Sequence, residues 1–203
     1  MNFLRNRLLF FLVFISGGVF AQSYFSMTYN MAIPLGNTRD FIPKTSFRGF
    51  GLEAGGRILK DYSVGFSFAW NGFYEELDYD LYGPEDGLPD ELNIWSKVWK
   101  YTTVYPFLGT VRYYIYEKSG LEAYAGIGIG TSLISRVTDF GVYDIVDKNY
   151  HFTLSPEAGA IYWLTDHFGL TLNSRYTWSS RAGETDPQSY LGFNLGFIAG
   201  SFR

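Results

Sequence analysis

The chain has no cysteine among its 203 residues. That excludes disulfide staples, a cysteine nucleophile and thiolate metal sites. Charge is scarce as well. Only 18% of residues are Asp, Glu, Lys or Arg, against about 25% in an ordinary soluble domain. The formal balance is −4, so the basic footprint of a nucleic-acid binder is missing. No apolar stretch approaches the ~20 residues of a membrane-spanning helix. What is abundant is aromatic residues and glycine: 19 Phe, 17 Tyr, 5 Trp and 23 Gly. An excess of this kind excludes a disordered chain or a coiled coil and points to β structure.

The N-terminus reads as an export signal. Arg5 and Arg7 precede the eight-residue apolar run 8–15 (LLFFLVFI), and small residues lead to Ala21. Eight residues at about 1.5 Å each span about 12 Å as a helix, less than half of a bilayer core. A basic start, a short apolar centre and a small-residue exit predict cleavage between Ala21 and Gln22. No cysteine follows, so the signal is not of the lipoprotein type. Residues 1–21 are therefore expected to be a signal peptide and residues 22–203 the mature domain. Loss of Arg5 and Arg7 leaves 14 of the 16 basic residues against 20 acids, a net charge of −6.

Beyond the signal, eight segments alternate with period two, the mark of strands with two different faces. One apolar face is built, for example, from Phe25, Met27 and Tyr29, then Phe66 and Phe68, then Ile127 and Ile129, then Leu172, then Phe193. The opposite face holds Ser26, Thr28 and Asn30, then Ser67, then Gly126, Gly128 and Gly130, then Thr171 and Asn173, then Asn194. Connections alternate long and short. Residues 34–47, 75–99, 136–150 and 179–189 form long loops, while 60–62, 117–120 and 165–168 form tight turns. No helix is expected in the mature chain. Long loops on one rim and tight turns on the other, with both termini on the tight-turn side, is the layout of an all-β, eight-stranded antiparallel up-and-down transmembrane β-barrel.

A soluble barrel of the same strand number would turn its polar face to water and would carry many charges there. Here that face is mostly Gly, Ser, Thr and Asn. Its charges inside strands are Glu53, Arg57, Arg112, Glu122, Glu157 and Arg175, and none lies on the apolar faces. A charge on a lipid-facing position costs about 2–4 kcal/mol at the bilayer midplane. Aromatics gather at segment ends: Tyr62, Tyr113, Tyr162 and Phe168 near the tight turns, and Trp70, Tyr74, Tyr101, Tyr176, Trp178 and Tyr190 near the loops. Two such girdles suit the two membrane interfaces.

The signal, the eight strands, Tyr105-Pro106-Phe107 running into Arg112-Tyr113-Tyr114, and the glycine strand 126–130 together resemble the outer-membrane β-barrel domain of the OmpA/OmpX/OmpW-like and porin-family proteins of Gram-negative bacteria. The resemblance covers the whole mature chain. It implies the fold, a place in the cell outer membrane and outer-membrane lipid as a partner, more than it implies an activity. One departure is visible: barrels of this kind often end in a lipid-facing aromatic, whereas here Phe202 is followed by Arg203 and is out of phase with Phe193.

The candidate chemistry is thin. His151, Thr153, Ser155 and Glu157 share one inward wall. A His, a hydroxyl and a carboxylate suggest acyl transfer, as in barrel lipid A deacylases. Thr153 stands where those enzymes place serine, and Thr165 stands where the acid is sought. Alternate strand residues are also nearly 7 Å apart. Glycines 126–130 keep period two with no helix after them, so they are no dinucleotide fingerprint; they leave room in a crowded lumen. Residues 75–91 carry eight acids and no base. Asp78, Asp80 and Gly83 imitate an EF-hand start, but Tyr82 and Pro89 occupy ligand positions. No cofactor, metal or catalytic residue is assigned.

The six strand charges are three acids and three bases, all of inward parity. An eight-stranded barrel is just wide enough to be filled by side chains, so they are expected to form a neutral lumen network. Equal distance from the hairpin turns places Glu157 opposite Arg175 and Arg112 opposite Glu122. Glu53 is expected in the layer of Glu157 and Arg175, and Arg57 in the layer of Arg112 and Glu122. The function expected is non-enzymatic: a structural, surface-recognition or accessory barrel whose long loops meet an extracellular ligand or a membrane-protein partner. The alternatives are a narrow pore for ions or small hydrophobic solutes and a lipid-modifying barrel enzyme.

Overall fold

The computed structural model describes residues 22–200. The expected signal peptide, and Phe202 with Arg203, lie outside the described residues. Eight strands close one antiparallel barrel in chain order: β1 (Gln22–Leu35), β2 (Gly49–Leu59), β3 (Tyr62–Tyr82), β4 (Ile94–Lys118), β5 (Leu121–Asp139), β6 (Asp144–Trp163), β7 (Phe168–Ser179) and β8 (Gln188–Gly200). β1 pairs with β8, which seals the ring and leaves no open edge within the barrel wall.

The stagger of the ring follows from its register. Paired residues lead from Phe25 through Ala54, Phe66, Gly109, Ile129, Leu154, Trp178 and Ser189 back to Leu35, ten residues above the start. With about 3.3 Å of rise per residue and about 4.8 Å between strands, that stagger tilts the strands by about 40°. This tilt decides which inward residues meet.

The two faces separate as the alternation predicts. Phe66, Ile127, Ile129, Leu172 and Phe193 are exposed on the outer wall, while Ser26, Glu53, Ser67, Arg112, Thr171 and Asn194 are buried inside. A soluble barrel would reverse this. On β3 and β4 the girdles appear as tilted ring pairs, Tyr62 with Tyr113 at 5.0 Å and Tyr74 with Tyr101 at 5.2 Å between ring centroids. Tyr190 departs from the expected girdle: it is buried, inside the barrel mouth. Leu191 and Phe193 take the outward positions on β8, so strand parity turns its neighbour Tyr190 inward.

Two expectations on the loops need correction. First, the strands run well past the predicted loop starts. β3 and β4 remain paired as far as Tyr82 and Ile94, and β5 and β6 as far as Asp139 and Asp144. The β3–β6 hairpins thus continue as a sheet above the loop-end girdle, its inner face packed by Leu88, Val98 and Phe140 with Leu77, Tyr82, Leu92, Ile94 and Ile145. A sheet with its own small core outlives the membrane, and the alternation stops being clean because both faces are no longer lipid and lumen.

Second, the first loop contains a short helix, α1 (Gly36–Phe41). It has no side-chain cap, and six residues are too few to be stable by propensity alone. Tertiary contacts hold it. Thr38 is buried; its Oγ1 donates to Gln188 Oε1 at 2.9 Å and accepts the Ser189 N–H at 3.0 Å. Asn37 Nδ2 donates to the Pro187 carbonyl at 2.9 Å. Ile42, directly after the helix, is fully buried among Ala32, Phe73, Val104, Ile134 and Tyr190, with Phe41 packed on the same cluster. An apolar stopper therefore fills the loop end of the lumen.

Candidate functional site

The lumen is layered. At the tight-turn end, Tyr24, Tyr114, Tyr124, Ile161 and Ile198 form an apolar and aromatic layer. At the loop end sits the stopper. Between them lies the polar network that the strand charges predict.

Its centre is Arg112. The guanidinium donates Nε–H to Glu157 Oε1 at 2.6 Å and Nη2–H to Glu53 Oε2 at 2.7 Å. Arg175 holds the other Glu157 oxygen, with Nη2 at 2.5 Å and Nε at 3.0 Å from Oε2, and lies 3.5 Å from Glu53 Oε2. Tyr24 donates its hydroxyl to Glu53 Oε1 at 2.7 Å, and Arg175 donates Nη1–H to Ser67 Oγ at 3.3 Å. The Arg112 guanidinium also stacks 4.3 Å over the Tyr124 ring. Two acids and two bases thus satisfy one another, which is what a buried ionic cluster requires.

The expected pairing of Glu157 with Arg175 is what the register shows. The expected pairing of Arg112 with Glu122 is not: Arg112 sits opposite Gly126, and Glu122 sits opposite Glu117. The reason is the turn. Only Ser119 and Gly120 turn, both at positive φ, the two-residue hairpin geometry that matches strand twist. Glu117 and Lys118 therefore stay in β4, and a bulge between Tyr114 and Tyr116 shifts the register again. Arg112 joins the layer of Glu53, Glu157 and Arg175 instead of a layer with Arg57 and Glu122. A second, smaller cluster forms nearer the turns. Arg57 reaches Glu122 at 2.8 Å and Glu117 at 3.0 Å, with its guanidinium 4.1 Å over the Tyr114 ring.

Gly126 explains how Arg112 crosses a strand to reach Glu157. The register places Arg112, Gly126, Glu157 and Arg175 in one row across four strands. A Cβ on Gly126 would lie 2.9 Å from Arg112 Cγ and 3.3 Å from Glu157 Oε1. The missing side chain is the passage for the arginine. Tyr24, Tyr124 and Glu117 were not singled out from the sequence, although the parity of Ser26 extended back by two points Tyr24 inward.

The other candidates resolve by geometry. His151 and Thr153 are fully buried, but the ring Nδ1 meets the Ser180 carbonyl at 2.7 Å. Thr153 Oγ1 donates to Ser132 Oγ at 2.8 Å and lies 3.0 Å from Ser179 Oγ. Ser155 donates to Thr177 at 3.1 Å. These hydroxyls tie strands together, and among the described residues none of them is hydrogen-bonded to the His151 ring. His167 is exposed in its turn. Asp78 and Asp80 lie in β3, so the EF-hand imitation has no loop to fold around an ion. Between network and stopper, a cavity of about 20 Å³ is lined by Ser26, Asn30, Glu53, Ser67, Asn173 and Asn194, among others. That is room for a single water.

A closed eight-stranded barrel with a lipid-compatible exterior and a packed polar lumen defines a small transmembrane β-barrel of the outer-membrane type. Solved structures of this class share the fold. The chain is similar to Ail, the attachment invasion locus protein of Yersinia pestis, with 14% identity, a TM-score of 0.54, and 89% of this chain and 99% of that chain covered. It is similar to Neisserial surface protein A at 15% identity and a TM-score of 0.56, covering 90% and 99%. It is similar to the outer membrane protein OprG from Pseudomonas aeruginosa at 12% identity and a TM-score of 0.54, covering 92% and 99%. No protein-family model matches the chain, and no curated protein matches it.

Proposed function

We propose that this chain is a non-enzymatic surface-recognition barrel of the outer membrane, anchored by its wall and working through the part that stands above the bilayer. One observation carries the reading: the lumen is filled, while the sheet of β3–β6 continues, paired and packed on its inner face, past the loop-end girdle. From Tyr62 to Tyr74 is twelve residues of β3, about 30 Å along the axis at this tilt, enough to cross the hydrocarbon core of the bilayer. The eight further residues to Tyr82 add about 20 Å above it. That projection exposes Tyr79, Leu81, Trp95 and Val142, large apolar side chains with no lipid to face. Exposed apolar groups beyond the membrane mark a contact surface. The attachment role in the name of the similar Yersinia protein supports the same direction.

The test has two arms. In planar bilayers the refolded chain should show no discrete conductance steps, since salt-bridged side chains and the stopper fill the bore. On intact cells, a photoreactive residue at position 95 should yield a discrete adduct, and the same residue at lipid-facing position 127 should not. Steady single-channel steps, or equal labelling from both positions, would refute the proposal.

A further inference from the structure

Above the stopper, two cations converge on one ring. The Arg136 guanidinium lies 3.9 Å and the Lys100 ammonium 5.2 Å from the centroid of Phe41. The two distances place the cations no more than 9.1 Å apart. Both are partly shielded by the barrel mouth yet reach solvent. Among the described residues neither has a carboxylate within ion-pair distance.

The acids that face them are occupied. Asp147 sits opposite Arg136 in the register, but one oxygen accepts from Asn149 Nδ2 at 2.6 Å and the other from the Thr185 hydroxyl. Glu75 sits opposite Lys100 and lies 3.9 Å from Lys44. A third feature points the same way. Thr102 is the other register partner of Arg136 and lies two residues from Lys100 on the same inward face. It is 1% exposed, and its hydroxyl has no hydrogen-bond partner among the described residues. Buried hydroxyls are rarely left so. Two cations outside ion-pair distance of Asp147, Asp186 and Glu75, beside an unused donor, are the components of an oxyanion site.

We propose that the outward mouth of the barrel binds a solvent-borne phosphate or sulfate ester, held by Arg136 and Lys100 with Thr102 as the neutral donor. The site is separate from the tip of the projecting sheet. It opens inside the ring, so a headgroup lying in the leaflet outside the wall does not reach it.

The test uses the full refolded chain in a phosphate-free glucoside detergent, titrated with inorganic phosphate, sulfate and chloride at constant ionic strength. Amide and Arg136 Nε resonances are followed by NMR. The proposal expects shifts at residues 100, 102 and 136 that saturate with phosphate and sulfate and not with chloride. Arg136→Gln should weaken the binding about tenfold or more, the scale of one charge-assisted hydrogen bond. Lys118→Gln, exposed at the tight-turn end of the barrel, should leave it unchanged. Heat-dependent electrophoretic mobility reports whether each variant folds. If Arg136→Gln does not fold, Lys100→Gln and Thr102→Val carry the same test. Shifts that follow ionic strength without saturating, or equal affinity in folded variants, would overturn the site. Saturation by phosphocholine lipid but not by soluble phosphate would overturn the solvent source.

Discussion

Arg112→Met removes the side chain that bonds both acids of the central network at short distance. The replacement keeps much of the aliphatic volume and removes the charge. Two charge-assisted bonds are lost, to Glu157 at 2.6 Å and to Glu53 at 2.7 Å. Hydrogen bonds to charged groups contribute about 1.5–3 kcal/mol each, so the pair contributes about 3–6 kcal/mol. Breaking a buried ion pair from one side costs about 3–5 kcal/mol by independent measure. The two routes agree on about 4 kcal/mol, which dominates the few tenths expected from lost packing. After the change, Glu157 retains Arg175, but Glu53 keeps only the Tyr24 hydroxyl and the longer 3.5 Å approach of Arg175. Most of the penalty therefore sits on Glu53. Adding Glu53→Gln should relieve it, so the double variant should lose less than the sum of the singles by about 2 kcal/mol, within the range for residues of one network. The assay is reversible urea unfolding in lipid vesicles, read by tryptophan fluorescence and electrophoretic mobility. A loss below about 1 kcal/mol for Arg112→Met, or losses that add within about 0.5 kcal/mol, would refute the claim that these charges stabilise the barrel.

Gly126→Val should destabilise through overpacking by about 1–3 kcal/mol, because the new carbon meets Arg112 Cγ and the Val111 carbonyl; the same unfolding assay checks it, and a neutral result would mean the arginine has another route. Ile42→Ala should cost about 2–5 kcal/mol, as for other fully buried aliphatics, and should speed hydrogen exchange of the α1 amides; unchanged exchange would show that the helix does not depend on the stopper. Lys97→Ala, which breaks the exposed pair with Glu76, should leave stability unchanged, since surface pairs contribute little; a clear loss in the urea midpoint would contradict that. Arg57→Ala should destabilise, with hydrogen exchange rising in the β4–β5 turn around Ser119 before the central strands, because Arg57 anchors Glu117 and Glu122; uniform loss of protection would argue against a separate turn-end cluster.

Strand number, closure and the lipid-facing side were legible in the chain because they rest on period two. A one-residue error in parity would move every side chain to the other face, so alternating Phe, Ile and Leu against Gly, Ser and Thr admits one solution. The inward placement of the six strand charges was legible for the same reason, while Glu117, Lys100 and Arg136 were missed. The pairing of Glu157 with Arg175 was legible too, because the hairpin between them is symmetric about Asp166 and carries no bulge among the paired residues. The partners of Arg112 were not. They depend on a turn confined to Ser119 and Gly120, on a bulge in β4, and on a ten-residue stagger that brings Glu53 across the bore. Each is a property of the closed ring, since the stagger exists only once β1 has met β8. The short helix and its stopper belong to the same category. Nothing in residues 36–42 favours a helix strongly; Gln188, Pro187 and the buried mouth cluster hold it there. The sequence by itself determined which face most strand residues take, Tyr190 being the exception. Only the tertiary structure decided which inward residues touch, because the tilt and shear of a closed barrel set neighbours that no local pattern encodes.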